Sequence, residues 1–408
     1  MLLLLALLLS VVHHYAHGIG CTVTDSDSNL YIFGAPYGDV SLGPSQSDWT
    51  SSSTPAGQSQ IPVSLANRPS FDTSNPTCMF APFLNLIVVL NADKSFGVKA
   101  LHVFDTNARV WNLVPLTAEP EFPGGEGLVA TLDHDTNVIY AYSNGKIFRI
   151  GDADKDNLSQ LSANGKLSLY WLSQFTVTPQ PFDGSGYNKP VFGQGTNHLH
   201  FFNAPGLKEG EAWIFVVHYA WWQPTQQSYG SFPQLPGQSV YIPFGTKAPP
   251  RFAYIPDDGH QVLLVDTSVN TTNAVSGFGE SGANFRYAAT SQSLIQFSSV
   301  SGKLKVLDLN TGNVLEGSGV ALLPNIVAAS EAKPKVEESS SSEPTGAFSQ
   351  PSPTVKAAQS PIAIVTSTLP PNVSAVQVVS PAKNMKDSGG VPLLATSLLL
   401  VFFAMLLL

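Results

Sequence analysis

From about Gly20 to Ile326 the chain is a succession of short runs of β-branched and aromatic residues set between Gly, Pro, Asn and Asp, with hardly a stretch of helical apolar spacing. Leu30-Tyr31-Ile32-Phe33-Gly34, Leu86-Ile87-Val88-Val89-Leu90, Val138-Ile139-Tyr140-Ala141-Tyr142, Trp213-Ile214-Phe215-Val216-Val217 and Gln261-Val262-Leu263-Leu264-Val265 are all of strand length and bounded by turn residues. The expected class is therefore all-β. A single sandwich is usually smaller than about 300 residues, so a repeated arrangement of sheets is expected, with a large jelly roll or stacked sandwich as the rival.

A worn repeat supports the first of these. Leu101-His102-Val103-Phe104-Asp105-Thr106-Asn107-Ala108-Arg109-Val110-Trp111-Asn112-Leu113 has weaker echoes at Leu263 to Thr267, around Asp266, and at Leu304 to Gly312, around Asp308. An Asp closing a strand can bond its own backbone and start a turn. These segments resemble the third strand, turn and fourth-strand start of a kelch blade, and Asn29 to Gly34 resembles its second strand, with a glycine expected to allow close approach to the axis. The paired glycines of that strand are reduced to Gly34 before Ala35, and only Trp111 completes the Asp-to-Trp spacing. The resemblance is thus to a degenerate kelch or galactose-oxidase-like β-propeller. It implies six or seven four-stranded blades, in units near 20–65, 66–120, 121–170, 171–222, 223–272 and 273–326, with Trp111 packed between blades.

Both ends of the chain are apolar. Leu2 to Val12 followed by Ala16-His17-Gly18 reads as a secretory signal over residues 1–18, although no Lys or Arg precedes the run. The carboxy-terminal Val391 to Leu408 is uncharged and follows Asp387-Ser388-Gly389-Gly390, the pattern of a glycosylphosphatidylinositol attachment signal over 389–408, with Ser388 as the lipid-bearing residue. A single membrane helix is the competitor. Leu393 to Leu408 would rise only about 24 Å as a helix, against a hydrocarbon core of roughly 30 Å. Between head (19–327) and anchor, residues 328–388 are rich in Ser, Pro, Thr, Ala and Val, too poor in apolar surface to offset the entropy of ordering, and are expected to form a disordered stalk. The expected location is the extracellular face of the plasma membrane.

The stalk's acids and lysines balance, so the formal charge of −9 belongs to the head. That disfavours nucleic acid as a partner, because phosphate binding needs clustered Lys and Arg. Cys21 and Cys78 are the only cysteines, and in an oxidising compartment they are expected to pair. Closing a loop of 57 residues would stabilise the fold by roughly 4 kcal/mol in the chain-entropy account. Asn157, Asn270 and Asn372 head N-glycosylation sequons, with Asn270 in a segment that reads as an exposed turn.

No catalytic constellation stands out, and no cofactor or metal is assigned. Copper-radical chemistry of the galactose-oxidase kind would need a cysteine–tyrosine link, for which Cys78 is the one plausible thiol of the body. His198 and His200 alternate along a strand and share a face, yet a third ligand at a readable spacing is missing and a polar strand face accounts for them equally. Asp152 to Asn157 resembles the opening of a calcium loop but lacks its glycine and distal Glu, so a solvated turn is expected. Glu119, Glu121 and Glu126 read as loop surface rather than as a pair for glycoside cleavage, and Trp221-Trp222 as packing between sheets rather than as sugar-stacking faces. The expected function is non-catalytic binding of a surface or wall glycan or a protein through loops at the channel mouth. A secreted oxidase or glycan-acting enzyme is the alternative.

Overall fold

The computed structural model describes residues 20–319 apart from 36–37, 51–58, 61–65, 119–126, 153–157, 162–166, 174–175, 177 and 246. The chain divides into two units, Met1–Lys335 and Val336–Leu408, and every described residue lies in the first. The expected leader, stalk and anchor signal lie outside the described residues, as do Asn157, Asn372, Ser388, Glu119, Glu121 and Glu126.

The described chain forms consecutive antiparallel meanders. The first is β1 (Cys21–Thr24), β2 (Leu30–Ala35), β3 (Gly38–Leu42) and β4 (Ser59–Gln60); the second is β5 (Thr77–Ala81), β6 (Leu86–Leu90), β7 (Ala100–Asp105) and β8 (Val110–Ala118). The third is β9 (Val129–Leu132), β10 (Ile139–Ser143), β11 (Lys146–Ile150) and β12 (Leu169–Ser173). The fourth is β13 (Val191–Gly195), β14 (His198–Phe202), β15 (Glu211–Val216) and β16 (Trp221–Trp222), with β17 (Gln227–Ser228) also on β15. Then come β18 (Gly237–Phe244), β19 (Lys247–Pro256), β20 (Gln261–Asp266) and β21 (Thr271–Ser276), and finally β22 (Phe285–Ala289), β23 (Ser293–Ser298), β24 (Lys303–Asp308) and β25 (Val314–Gly319). The second and third meanders are zipped into one eight-stranded sheet by a parallel pairing of β8 with β12, Leu116 opposite Leu169 and Ala118 opposite Trp171.

The first strands set the architecture. β1 lies against β5, β5 against β9, β9 against β13, β13 against β18, β18 against β22, and β22 returns to β1. A closed circuit of antiparallel sheets around an axis is a β-propeller. Its apolar interior is correspondingly split into separate cores, each between two neighbouring meanders. Because both faces of an inner strand are covered, β6, β10 and β23 are buried at every position. Strands covered on both faces read as continuous apolar runs rather than as alternations, which is why Leu86 to Leu90 is so plain in the sequence. The outermost β21, Thr271–Ser276, has no such cover and is mostly exposed.

Among the described residues, closure between the last and first meanders uses no strand exchange. The core there joins Leu30, Ile32 and Val40 to Ile295, Phe297 and Val306, and its largest member is Trp49, 1% exposed. Trp49 is carried by one helical turn, α1 (Gln46–Thr50). Ser45 precedes that turn, and the Asp48 carboxylate accepts from both the Ser45 backbone N–H (3.0 Å) and its hydroxyl (2.6 Å), a side chain reaching back to satisfy a free donor. The Trp49 indole N–H donates to the Gly43 carbonyl at 2.8 Å.

The strand-ending aspartates build one recurring turn. Asp105 Oδ1 accepts from the N–H groups of Asn107 (2.9 Å) and Ala108 (2.8 Å); Asp308 Oδ1 accepts from Asn310 (2.8 Å) and Thr311 (2.9 Å); Asp266 Oδ1 accepts from Ser268 (3.0 Å). In each, the residue four beyond the Asp takes positive φ: Arg109, Asn270 and Gly312. Asn270 is exposed at that turn. Gly34 departs from the sequence reading. It has φ +68°, and an added Cβ would meet the Phe71 ring at 2.3 Å, so its close approach is to Phe71 of the connecting segment and not to the axis.

Candidate functional site

A sheet's edge strand leaves one row of backbone groups unpaired, and here all six first strands turn such an edge toward one central channel. The channel encloses about 210 Å³ and is lined from β1, β5, β9, β13, β18 and β22 together with the residues entering them. Neighbouring walls are tied pair by pair. Cys21 and Cys78 form a disulfide between β1 and β5, with Cα atoms 5.8 Å apart. Asn75 Nδ2 donates to the Leu128 carbonyl at 3.4 Å, and Thr131 Oγ1 to Gln194 Oε1 at 2.7 Å. The Ser239 hydroxyl donates to the Phe192 carbonyl, Gln238 Nε2 to those of Gly282 (3.1 Å) and Phe285 (3.3 Å), and Thr24 Oγ1 to Ala289 (2.6 Å), which completes the circuit.

Among the residues lining the channel, one carries a charge. Among the described residues of that lining there is no Asp, Glu, Lys or His, and the one charged side chain is Arg286 at the start of β22, 7% exposed. Nη1 donates to the carbonyls of Ala283 (2.9 Å) and Phe285 (2.8 Å), and Nη2 to that of Ser74 (3.1 Å), in the segment entering β5. Nε is buried without a partner, as is the hydroxyl of Thr22 on the adjacent β1. Among the described residues no carboxylate pairs with this guanidinium. Burial lowers its pKa to about 10, so it is protonated at neutral pH. Two phenols share the lining. Desolvation pushes Tyr241 up to about 12 and raises Tyr287 as well, so both stay neutral hydroxyls. With most of the lining hydroxyls and amides engaged between the walls, what sets the channel apart is one fixed positive charge.

The other candidates sort differently. The His198 and His200 rings lie 6.1 Å apart, but their face is not polar: His200 is fully buried between Tyr229 and Phe252, at 5.4 and 5.7 Å. Burial, with His198 adding to it, drives its pKa down to about 3 and keeps the ring neutral. His218, which looked solitary in the sequence, is brought to the buried carboxylate of Asp133, Nε2 to Oδ2 at 3.2 Å, across 85 residues. Among the described residues no cluster of three or more His, Cys, Asp or Glu is placed to hold a metal. Asp152 pairs with Arg149 at 3.1 Å. Trp222 is 2% exposed and packs on Phe182, Phe201 and Phe215 in the core between the third and fourth meanders, while Trp221 is half-buried. Trp111 packs on Phe33, Phe71 and Phe104 between the first and second. Cys78 is bonded to Cys21, so no thiol is left for a cysteine–tyrosine link.

Sequence reasoning missed Arg286. It stands in Phe285-Arg286-Tyr287-Ala288-Ala289, an ordinary strand, and nothing local marks it as the residue that meets Ser74, 212 positions away. Only the closed ring makes it a channel residue.

No family model matches this chain, and no curated protein matches it. Among solved structures, a chain in the crystal structure of a nidogen/laminin complex is similar, with a TM-score of 0.42 and 10% identity over 73% of this chain and 92% of that one. The assignment of the fold rests on the strand circuit described above.

Proposed function

We propose that this chain is a non-catalytic, six-bladed, kelch-type β-propeller held at the outer cell surface, where it binds a glycan or a protein through the mouth of its channel. The observation that carries the reading is the channel itself: six first strands surround a space where apolar side chains such as Val23, Met79 and Phe192 are interspersed with Thr, Ser, Gln, Tyr and one guanidinium. Ligand sites favour such concave places, with a few fixed polar groups setting orientation. The Cys21–Cys78 disulfide agrees with an oxidising, secretory route, as do the leader and anchor signals expected from the two apolar ends. Cys78 is already committed to Cys21, so the cysteine-dependent oxidase alternative loses the thiol that it needs.

The test uses the full chain expressed at the surface of a eukaryotic host, released, and screened against wall polysaccharides and host surface proteins. Asn75 is exposed at the channel mouth, and Asn75→Trp should obstruct it. Val269, 63% exposed in the turn between β20 and β21, provides the control Val269→Ala. Binding lost in N75W and kept in V269A supports the proposal. Equal binding by both variants, or oxidation of sugar alcohols by the wild type, overturns it.

A further inference from the structure

The unpaired charge gives that site a chemistry. We infer that the channel captures a small oxyanion, a carboxylate or an inorganic anion of similar size, at the guanidinium of Arg286. The inference rests on the channel being the binding site, and it adds what the site selects.

Burying a cation costs free energy unless it is paired, and proteins almost always pair it. This molecule follows that rule at the buried carboxylate of Asp39, which the half-buried Arg68 grips through Nε and Nη2, each at 2.7 Å. At Arg286 the same guanidinium is surrounded by neutral carbonyl oxygens. Its Nη1 and Nη2 make three hydrogen bonds among the described residues, fewer than the five N–H groups available, and Nε is left without a partner. Thr22 adds an unpartnered buried hydroxyl on the neighbouring strand. Paired N–H groups on a planar fork match the two oxygens of a carboxylate better than any neutral group.

Field and size agree. The chain carries a formal charge of −9, yet the charge found in the channel lining is positive. Low-dielectric walls strengthen the attraction of that charge for an anion and disfavour cations. A space of about 210 Å³ has room for several waters. That suits an acetate-sized ion with some of its hydration, and it is too small for a folded domain or a long chain to enter.

The experiment titrates the full chain with sodium acetate, inorganic phosphate and sulfate at constant ionic strength, followed by calorimetry and by the anion-dependent rise in melting temperature. Parallel crystals soaked in bromide locate the bound anion by its anomalous signal. The expected result is one anion per chain beside Arg286, with affinity at least tenfold weaker in Arg286→Gln. Tighter acetate than phosphate would identify carboxylate carriers as the natural source, and the reverse order would identify free inorganic anions. Saturable binding absent for all three anions, unchanged affinity in a folded R286Q, or bromide only at other positions would overturn the inference. If R286Q does not fold, the wild-type bromide position decides alone. Failure here with N75W still abolishing macromolecule binding would remove the anion and leave the channel-mouth reading standing.

Discussion

The junction between the first two meanders and the channel that it borders treat buried charge in opposite ways. At the junction the charged groups and the cysteines have their match. Cys21 is bonded to Cys78, Arg68 grips Asp39 while its guanidinium lies 5.0 Å over the Phe71 ring, and Asp39 also accepts from the Gly34 N–H at 3.0 Å. Phe33, Phe71, Phe104 and Trp111 fill the space around them. In the channel the hydroxyls and amides are engaged in holding the walls together, but Arg286 keeps its charge unanswered. Stability is concentrated where charges are paired, and an interaction partner is invited where one is not.

The largest effect should come from breaking the paired side. Asp39→Asn takes the buried carboxylate away from two charge-assisted hydrogen bonds to the part-exposed Arg68 and should destabilise the fold by about 3–5 kcal/mol, seen as a lower urea midpoint. Next comes the double change Cys21→Ser with Cys78→Ser, which frees a loop of 57 residues and should cost about 4 kcal/mol. Midpoints unchanged in either variant would show that the junction is not the stable region.

His200 separates burial from ligand binding, since it is buried without any claim on the channel. Its folded-state pKa of about 3 lies below the unfolded value of about 6.5. The unfolded chain therefore binds the proton first as pH falls. Stability from the neutral ring is fully present above about pH 6.5 and is lost progressively toward pH 3, by up to about 1.4 kcal/mol per pH unit. His198 and His102, both lowered chiefly by burial, act in the same direction. His200→Phe should flatten the slope of unfolding free energy against pH in that window, and an unaltered slope would place the acid sensitivity elsewhere.

Much of the fold can be read from the chain because it is local. The inner strands are continuous apolar runs, and each strand-ending Asp meets the backbone only two or three residues ahead. What is hidden is long-range. The parallel pairing of β8 with β12 follows from two outer strands converging at the rim, and no residue in Leu116 to Ala118 signals it. Gly34 announces a positive φ but not that Phe71 fills the space beside it. His218 finds Asp133, and Arg286 finds Ser74, only after the ring has closed.

The smallest stability effect should belong to Arg286. R286Q removes a costly buried charge along with its three hydrogen bonds to carbonyls, and the two should offset to within about 1 kcal/mol. Measuring urea stability and acetate affinity on the same R286Q protein therefore bears most directly on the division between paired junction and unpaired channel. The expected result is an affinity loss of at least tenfold with a stability loss well below that of Asp39→Asn. A stability loss equal to that of Asp39→Asn, with acetate affinity unchanged, would show that Arg286 serves the scaffold and not a ligand.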